Sequence, residues 1–351
     1  MESSLILITG ANGWLGKALI ESLVLRVNSC QDLGKHSKGL RIRCLVLPGE
    51  DTSVIKGLSD EIEIFYGDIT SIRDCKNFTS NSRGAILFHC AGVIHPSRIK
   101  HFYDINVNGT KNLIEAAIKN RVKRVVAVSS NSPCGTNPNN NHLFDENSPY
   151  NPYMNYGKSK MMMELAIKQY VKKGVIEAVI IRPPWFYGPH QPARQVKFFK
   201  MIRDGKVPMV GLGNNLRSMA NTNNICQGAF LAALNESANG ETYWIADSRA
   251  YKMREIITTI EQVMEEDLNI QCAHTRITLP NVISEIAHGF DASLQGLGLY
   301  NQEIHVLSEM NKTIACSISK AKSELGYKPM VSLREGMLNS MKLIIDELKQ
   351  S

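Results

Sequence analysis

Tyr156 and Lys160 stand four residues apart, and on a helix that spacing puts both side chains on one face, one turn apart. A phenol titrates near pH ~10, too high for a general base at neutral pH. A neighbouring ammonium favours the phenolate, and lowering such a pKa by ~3 units needs about 4 kcal/mol of differential stabilisation. The resulting group can take a proton from an alcohol, or return one to a ketone, while hydride leaves or joins the same carbon. Tyr-x-x-x-Lys is common by chance, so the pair gains meaning only from its surroundings.

The N-terminal stretch provides the first of these. An apolar run over 5–8 is followed by Thr9-Gly10-Ala-Asn12-Gly13-Trp14-Leu15-Gly16 and then by a helical pattern over 17–27. Strand, glycine-rich turn and helix in that order form a nucleotide-binding unit, in which the glycines let the backbone approach a pyrophosphate and the helix N-terminus faces the phosphates. Gly10, Asn12, Gly13, Trp14, Leu15 and Gly16 are therefore candidate cofactor contacts. A bound oxidised nicotinamide would add a second positive charge beside Tyr156. A second strand over 41–47 should end at the adenosine ribose, where an acid favours a free 2′-hydroxyl and an arginine a 2′-phosphate. Leu47 ends it, and Glu50 and Asp51 follow Pro48-Gly49, which favours NAD over NADP.

Further strands are expected over 61–66, leading into Gly67-Asp68-Ile69, and over 85–89, followed by Cys90-Ala91-Gly92, where small residues let a strand end lie close to a flat ligand. A helix over 104–120 precedes a strand over 125–128 that ends in Ser129-Ser130. A loop rich in Asn, Pro and Ser over 131–155 then delivers the chain to the helix at 156–171. The methionines at 161–163 suit core or subunit contact. A strand over 175–181 stops at Arg182-Pro183-Pro184. This alternation predicts an α/β fold, a Rossmann-type doubly wound parallel sheet over 1–184 with 218–246 returning to it. Residues 28–40 read as a surface loop. Beyond Pro184 the pattern loosens to a short helix at 198–204, a loop at 209–217, a helix at 223–234, a strand at 241–246, and helices at 253–264, 319–326 and 333–348. Residues 267–311 carry no assignable pattern. Segments 185–217 and 247–351 thus make a smaller, discontinuous C-terminal substrate lobe.

Bulk properties exclude several classes. The 351 residues are 43% hydrophobic and 21% charged, as in an ordinary globular chain. No apolar run reaches about 18 residues, and no signal-peptide pattern opens the chain. The eight cysteines are scattered singly, which argues against a disulfide framework and against a metal site, and fits a cytoplasmic setting. The net charge of +7 leans toward anionic ligands, but no basic block with interleaved aromatics points to nucleic acid.

Taken together, the motifs resemble those of the extended short-chain dehydrogenase/reductases, the NAD-dependent epimerase/dehydratase group, nearly end to end. They occur in the family's order: Gly10/Gly13/Gly16, Gly67-Asp68, His89-Cys-Ala-Gly92, Asn106-Val-Asn-Gly-Thr110, Ser129-Ser130, Tyr156-x-x-x-Lys160, Arg182-Pro-Pro, Tyr187-Gly-Pro189 and 320–327. The resemblance implies that Tyr156 is the acid/base, that Lys160 holds the nicotinamide ribose and depresses the tyrosine pKa, and that Ser130 hydrogen-bonds the reacting oxygen, with Ser132 as a stand-in. It places the adenine at Asp68 and Ile69, the nicotinamide near Cys90, Ala91, Gly92, Asn106, Pro183 and Tyr187, and a substrate diphosphate at Arg217. It also implies a homodimer formed by the helices at 104–120 and 156–171.

Two departures matter. Where dehydratases of this group carry an Asp-Glu pair, this chain has Asn131-Ser-Pro-Cys134, which disfavours water elimination and leaves Cys134 as an alternative thiol catalyst. Asn311-Lys312 stands where a second phosphate-binding arginine is usual. Three functions therefore remain: an epimerase or reductase of a sugar nucleotide, a 3β-hydroxysteroid-dehydrogenase-like oxidoreductase of a hydrophobic alcohol, and a non-catalytic nucleotide-binding scaffold.

Overall fold

A computed structural model of the chain describes residues 5–30 and 39–349; most of the loop expected over 28–40 lies outside the described residues. The first six strands are β1 (Leu5–Thr9), β2 (Arg41–Val46), β3 (Ile62–Tyr66), β4 (Ile86–His89), β5 (Arg124–Val128) and β6 (Glu177–Arg182). Six more follow: β7 (Trp185–Tyr187), β8 (Pro208–Val210), β9 (Leu216–Asn221), β10 (Thr242–Trp244), β11 (Ala250–Lys252) and β12 (Ile277–Leu279). Seven of them form one sheet in the order β10-β6-β5-β4-β1-β2-β3, every pairing parallel.

β1 and β5 are buried at every position, which is why 5–8 and 125–128 read as unbroken apolar runs: helices cover both faces of the sheet. Helices Trp14–Leu25 and Thr222–Leu234 pack on one face, and Thr110–Lys119 and Met154–Lys172 on the other. The strand order reverses between β1 and β4, and there the glycine turn after β1 meets the segment after β4. A Cβ added at Gly10 would lie 2.7 Å from the Ala91 nitrogen, so the two loops touch. This switch point is where open α/β sheets hold ligands.

The second lobe has its own core around Tyr187, Phe199, Met219, Ile256 and Met337. β11, β9 and β7 form a three-stranded sheet, and β12 pairs with β8. Three expectations are corrected here. The segment 209–217 is not a plain loop, because it holds most of β8 and the start of β9; a three-residue strand is too short to show a period. The helix expected at 198–204 begins earlier, as Ala193–Arg203, because its first turn is mostly polar. The helix expected over 104–120 begins with a π-helical stretch, Phe102–Gly109. In the unassigned stretch 267–311 lie β12 and the helices Val282–Gly296 and Gln302–Glu309. They escaped notice because their buried faces carry Ser284, Asp291, Gln295, His305 and Ser308.

Candidate active site

Helix Met154–Lys172 presents Tyr156, Lys160 and Glu164 at successive turns. Glu164 is fully buried and takes a forked pair of hydrogen bonds from Arg182 at the end of β6, Nε to Oε1 at 3.0 Å and Nη2 to Oε2 at 2.6 Å. Ser129 Oγ donates to the same carboxylate at 2.5 Å and the Tyr150 hydroxyl at 2.8 Å. The Arg182 guanidinium also lies over the rings of Tyr150 and Trp244. This cluster fastens the helix to β6 and to the strand end that carries Ser130. One turn nearer the site, Lys160 is almost wholly buried and donates to the Val128 carbonyl at 2.8 Å. Burial pulls its pKa down to about 8, against the pull of Glu164.

Tyr156 is half-buried, packs its ring 5.7 Å from that of Phe102, and has the Ser130 hydroxyl against its phenol. Burial pushes this phenol up to about 12, opposed by Ser130 and by the guanidinium of Arg194. The Lys160 ammonium is turned to the Val128 carbonyl and is not among the groups that shift this phenol. Ser132 sits with its hydroxyl 3.3 Å from that of Ser130, and its carbonyl accepts from Tyr153 N at 3.1 Å. Gly157 is required beneath it, since a Cβ there would lie 2.5 Å from the Ser132 oxygen. Cys134 is buried, and burial raises its thiol to about 11, away from the thiolate form.

The glycine turn fits a dinucleotide. Gly10 has φ +65°, and a Cβ on Gly16 would meet the Gly10 oxygen at 2.1 Å, so the helix packs closely on the strand. Gly13 is exposed. The Asn12 Oδ1 is buried without a partner, while its Nδ2 donates to Glu50 Oε2 at 3.1 Å. Trp14 Nε1 donates to the Pro189 carbonyl at 2.7 Å, tying the turn to the loop after β7; Leu15 is core. Asp68 accepts from Thr70 N through Oδ1 at 2.8 Å, beside the buried Ile69. A Cβ on Gly92 would lie 3.1 Å from Asn106 Oδ1 and 3.6 Å from Lys160 Nζ, so this loop converges on the catalytic helix. Burial raises the Cys90 thiol to about 12.

Two expected cofactor contacts have side-chain partners within the protein. The Asn106 side chain is used within the protein: it accepts from Val93 N at 2.8 Å and donates to Val93 O and Ser159 Oγ at 3.1 and 3.0 Å. It holds the segment after β4 against the catalytic helix. Tyr187 is fully buried in the second lobe and donates to Asp247 Oδ2 at 2.7 Å. Pro183 is buried beside it in the chain.

The second lobe brings in residues that the sequence reading missed. Gln295 Oε1 accepts from the backbone and side-chain nitrogens of Asn155 at 3.1 and 2.9 Å. The Tyr153 hydroxyl meets His288 Nδ1 at 3.0 Å and Ser308 Oγ at 2.8 Å. His305 Nδ1 lies 2.6 Å from Asp291 Oδ2, and this carboxylate, with Glu309, holds the His305 pKa up against burial. Tyr300 bonds His95 Nδ1 at 2.7 Å and packs on Phe102 and His305. Burial draws His95 down to about 4. Arg194 acts electrostatically on both Tyr156 and Tyr300. Arg217, on β9, donates through Nη2 to the Glu309 carbonyl at 2.5 Å, and its buried Nε has no partner. Of these residues only Arg217 was singled out from the sequence.

Among the described residues no cluster of His, Cys, Asp and Glu could hold a metal, and no helix is long and apolar enough to cross a membrane. A hollow of about 350 Å³ lined by Arg121, Lys123 and Glu177 opens at the N-terminal ends of β5 and β6, away from this site.

Known proteins show the same organisation. The chain is 46% identical to an uncharacterised protein, y4nL, of Sinorhizobium fredii (strain NBRC 101917 / NGR234), over 97% of this chain and 95% of that one. It is 28% identical to the N-acetyl-alpha-D-glucosaminyl-diphospho-ditrans,octacis-undecaprenol 4-epimerase of Escherichia coli O157:H7, over 75% of this chain and 73% of that one. Its fold matches that of DesIV, a dTDP-glucose 4,6-dehydratase from Streptomyces venezuelae solved with NAD and TYD, with a TM-score of 0.76, 21% identity and 97% of each chain covered. The model of the NAD dependent epimerase/dehydratase family matches residues 6–246, more than half of the chain. With its glycine turn, its Ser130/Tyr156/Lys160 set and its parallel sheet in the family's arrangement, the chain belongs to the NAD dependent epimerase/dehydratase family, enzymes of the extended short-chain dehydrogenase type.

Proposed function

We propose that the enzyme interconverts a hydroxyl and a keto group on the sugar of a sugar nucleotide, with Tyr156 moving the proton. The observation that carries this reading is Arg217: a guanidinium close to Tyr153 and Glu309, with no carboxylate ion pair among the described residues and with a buried Nε donor left open. An unmatched, buried guanidinium fork is costly unless an anion completes it, and phosphate oxygens match its geometry. Burial draws its pKa down, which makes an anionic partner more favourable still.

Within the site, Ser130 orients the reacting oxygen and Tyr156 gives or takes its proton. Lys160, with the turn Gly10–Gly16, Asp68 and the segment Cys90–Gly92, would hold the dinucleotide. When bound, NAD supplies the hydride acceptor and a positive charge beside the phenol. That charge opposes the burial that keeps the phenol high, so the free enzyme holds the proton that ketone reduction needs. NAD is the proposed carrier, and NADP the less favoured one. Glu50 is held by Asn12 at the turn, whereas Arg43 is occupied by Glu63 and by the Phe78 and Ser80 carbonyls. We also read helix Met154–Lys172, with Met162 and Leu165 exposed, as part of a homodimer face.

One observation favours a hydrophobic alcohol instead: Lys312, at the place of the usual second phosphate ligand, is paired with Glu285. Titration of Arg217→Met against UDP- and GDP-sugars separates the two. A charged hydrogen bond to substrate is worth about 1.5–3 kcal/mol, so the variant should bind the accepted nucleotide sugar roughly ten- to a hundredfold more weakly and NAD unchanged. Equal binding by variant and parent, or no binding by the parent, overturns the sugar-nucleotide reading.

A further inference from the structure

Helix Val282–Gly296 is amphipathic the wrong way round. Its inward face buries Ser284, Asp291 and Gln295, and through His288 and Gln295 it reaches Tyr153 and Asn155 at the start of the catalytic helix. Its outward face exposes Val282, Ile286 and Phe290, at 57, 50 and 64%. These three are spaced four residues apart, so they form one stripe along the helix. Leu297 and Leu299 extend it past the helix end, and Leu212 flanks its start, since Gly211 packs against Asn281. Scattered exposed apolar residues need no explanation, but a contiguous stripe on one helix marks an interaction surface.

The charge around the stripe indicates what covers it. Glu285 is the one acid on the exposed face of this helix, and it is neutralised by Lys312. Arg98 is exposed, pairs its backbone with Leu299 across a bridge, and has no ion-pair partner among the described residues. Lys100, beside it, is 81% exposed, with Asp104 Oδ2 3.7 Å from its ammonium. An apolar helical stripe rimmed by cations and free of uncompensated acid complements a bilayer surface that carries anionic lipid. A second copy of the chain would bring the same cations face to face across a two-fold axis.

We propose that the outer face of helix Val282–Gly296, with Leu297, Leu299 and Arg98, docks the enzyme on an anionic membrane surface. The helix lies in the interface and does not span it. The same helix then has a polar side on the active site and an apolar side on lipid. This goes beyond the reaction and does not depend on which alcohol is the substrate.

The test is co-sedimentation of the full chain with phosphatidylcholine vesicles, with and without phosphatidylglycerol, in the absence of substrate. Binding to the mixed vesicles is expected, weakened by salt and by Arg98→Gln. Ile286→Ser/Phe290→Ser should lower partitioning by roughly tenfold or more, with an unchanged melting profile, because both side chains are already in water. Should that pair misfold, Leu212→Ser/Leu297→Ser probes the same stripe. Protein that stays in the supernatant with both vesicle types overturns the proposal. So does a serine variant that binds vesicles as the parent does, or one that converts a dimer to a monomer in sedimentation velocity, which would show that a second copy covers the stripe.

Discussion

The middle and the start of helix Met154–Lys172 are held by polar groups in contrasting ways. Toward its middle, Glu164 is dry, ionic and forked onto Arg182, with further bonds from Ser129 and Tyr150. At its start, Tyr153 and Asn155 are held by two hydrogen bonds each from the second lobe, Tyr153 to His288 and Ser308 and Asn155 to Gln295. The first arrangement cannot change without leaving a charge unpaired in the core. The second exchanges neutral bonds of the kind water can replace. Tyr156 thus stands between a fixed sheet and a lobe that is cheaper to move.

Tyr156→Phe cuts deepest into this contrast. It removes only the transferable proton, so turnover should fall by ~2–4 orders of magnitude while the melting profile and dinucleotide binding persist. A variant that keeps its activity would show that another group moves the proton. Glu164→Gln attacks the fixed middle. It strands the Arg182 guanidinium, and urea unfolding should show a loss of about 3–5 kcal/mol; a loss below about 1 kcal/mol would mean that the middle is as soft as the start. Asp291→Asn probes the movable lobe. His305 has its pKa raised in the fold, so its pair with Asp291 stabilises the protein below the unfolded value of about 6.5 and loses that contribution as pH rises through the folded value. Stability measured between pH 6 and pH 9 should therefore decline in the parent by up to about 1.5–3 kcal/mol, and the variant should show a flatter profile. Parallel profiles would remove His305 from the account.

The same contrast explains what could be read in advance. The sheet side was legible because each element there carries a local signature: β1 is a buried apolar run followed by a glycine turn that only small residues can form, and Tyr156 and Lys160 share a helix face by spacing alone. Asn106 and Tyr187 show what a motif leaves open. Their motifs mark positions near a site, but whether a side chain faces the ligand or the protein depends on partners distant in sequence, Val93 and Ser159 for one and Asp247 for the other. The second lobe was illegible because its helix at Val282–Gly296 buries polar residues and exposes apolar ones, which defeats any reading of periodicity as core.

By itself the sequence determined the parallel α/β sheet, the glycine turn and the shared helix face of Tyr156 and Lys160, since strand burial, turn conformation and helical spacing are local consequences of residue type. Only the tertiary structure decided the rest. It turned Lys160 to the Val128 carbonyl and set Arg194 beside the phenol. It left Arg217 with an open donor, and it placed His288, Tyr300 and His305 over the start of the catalytic helix. These are encounters between segments far apart in the chain, fixed by the packing of one lobe on the other, and no local preference encodes them.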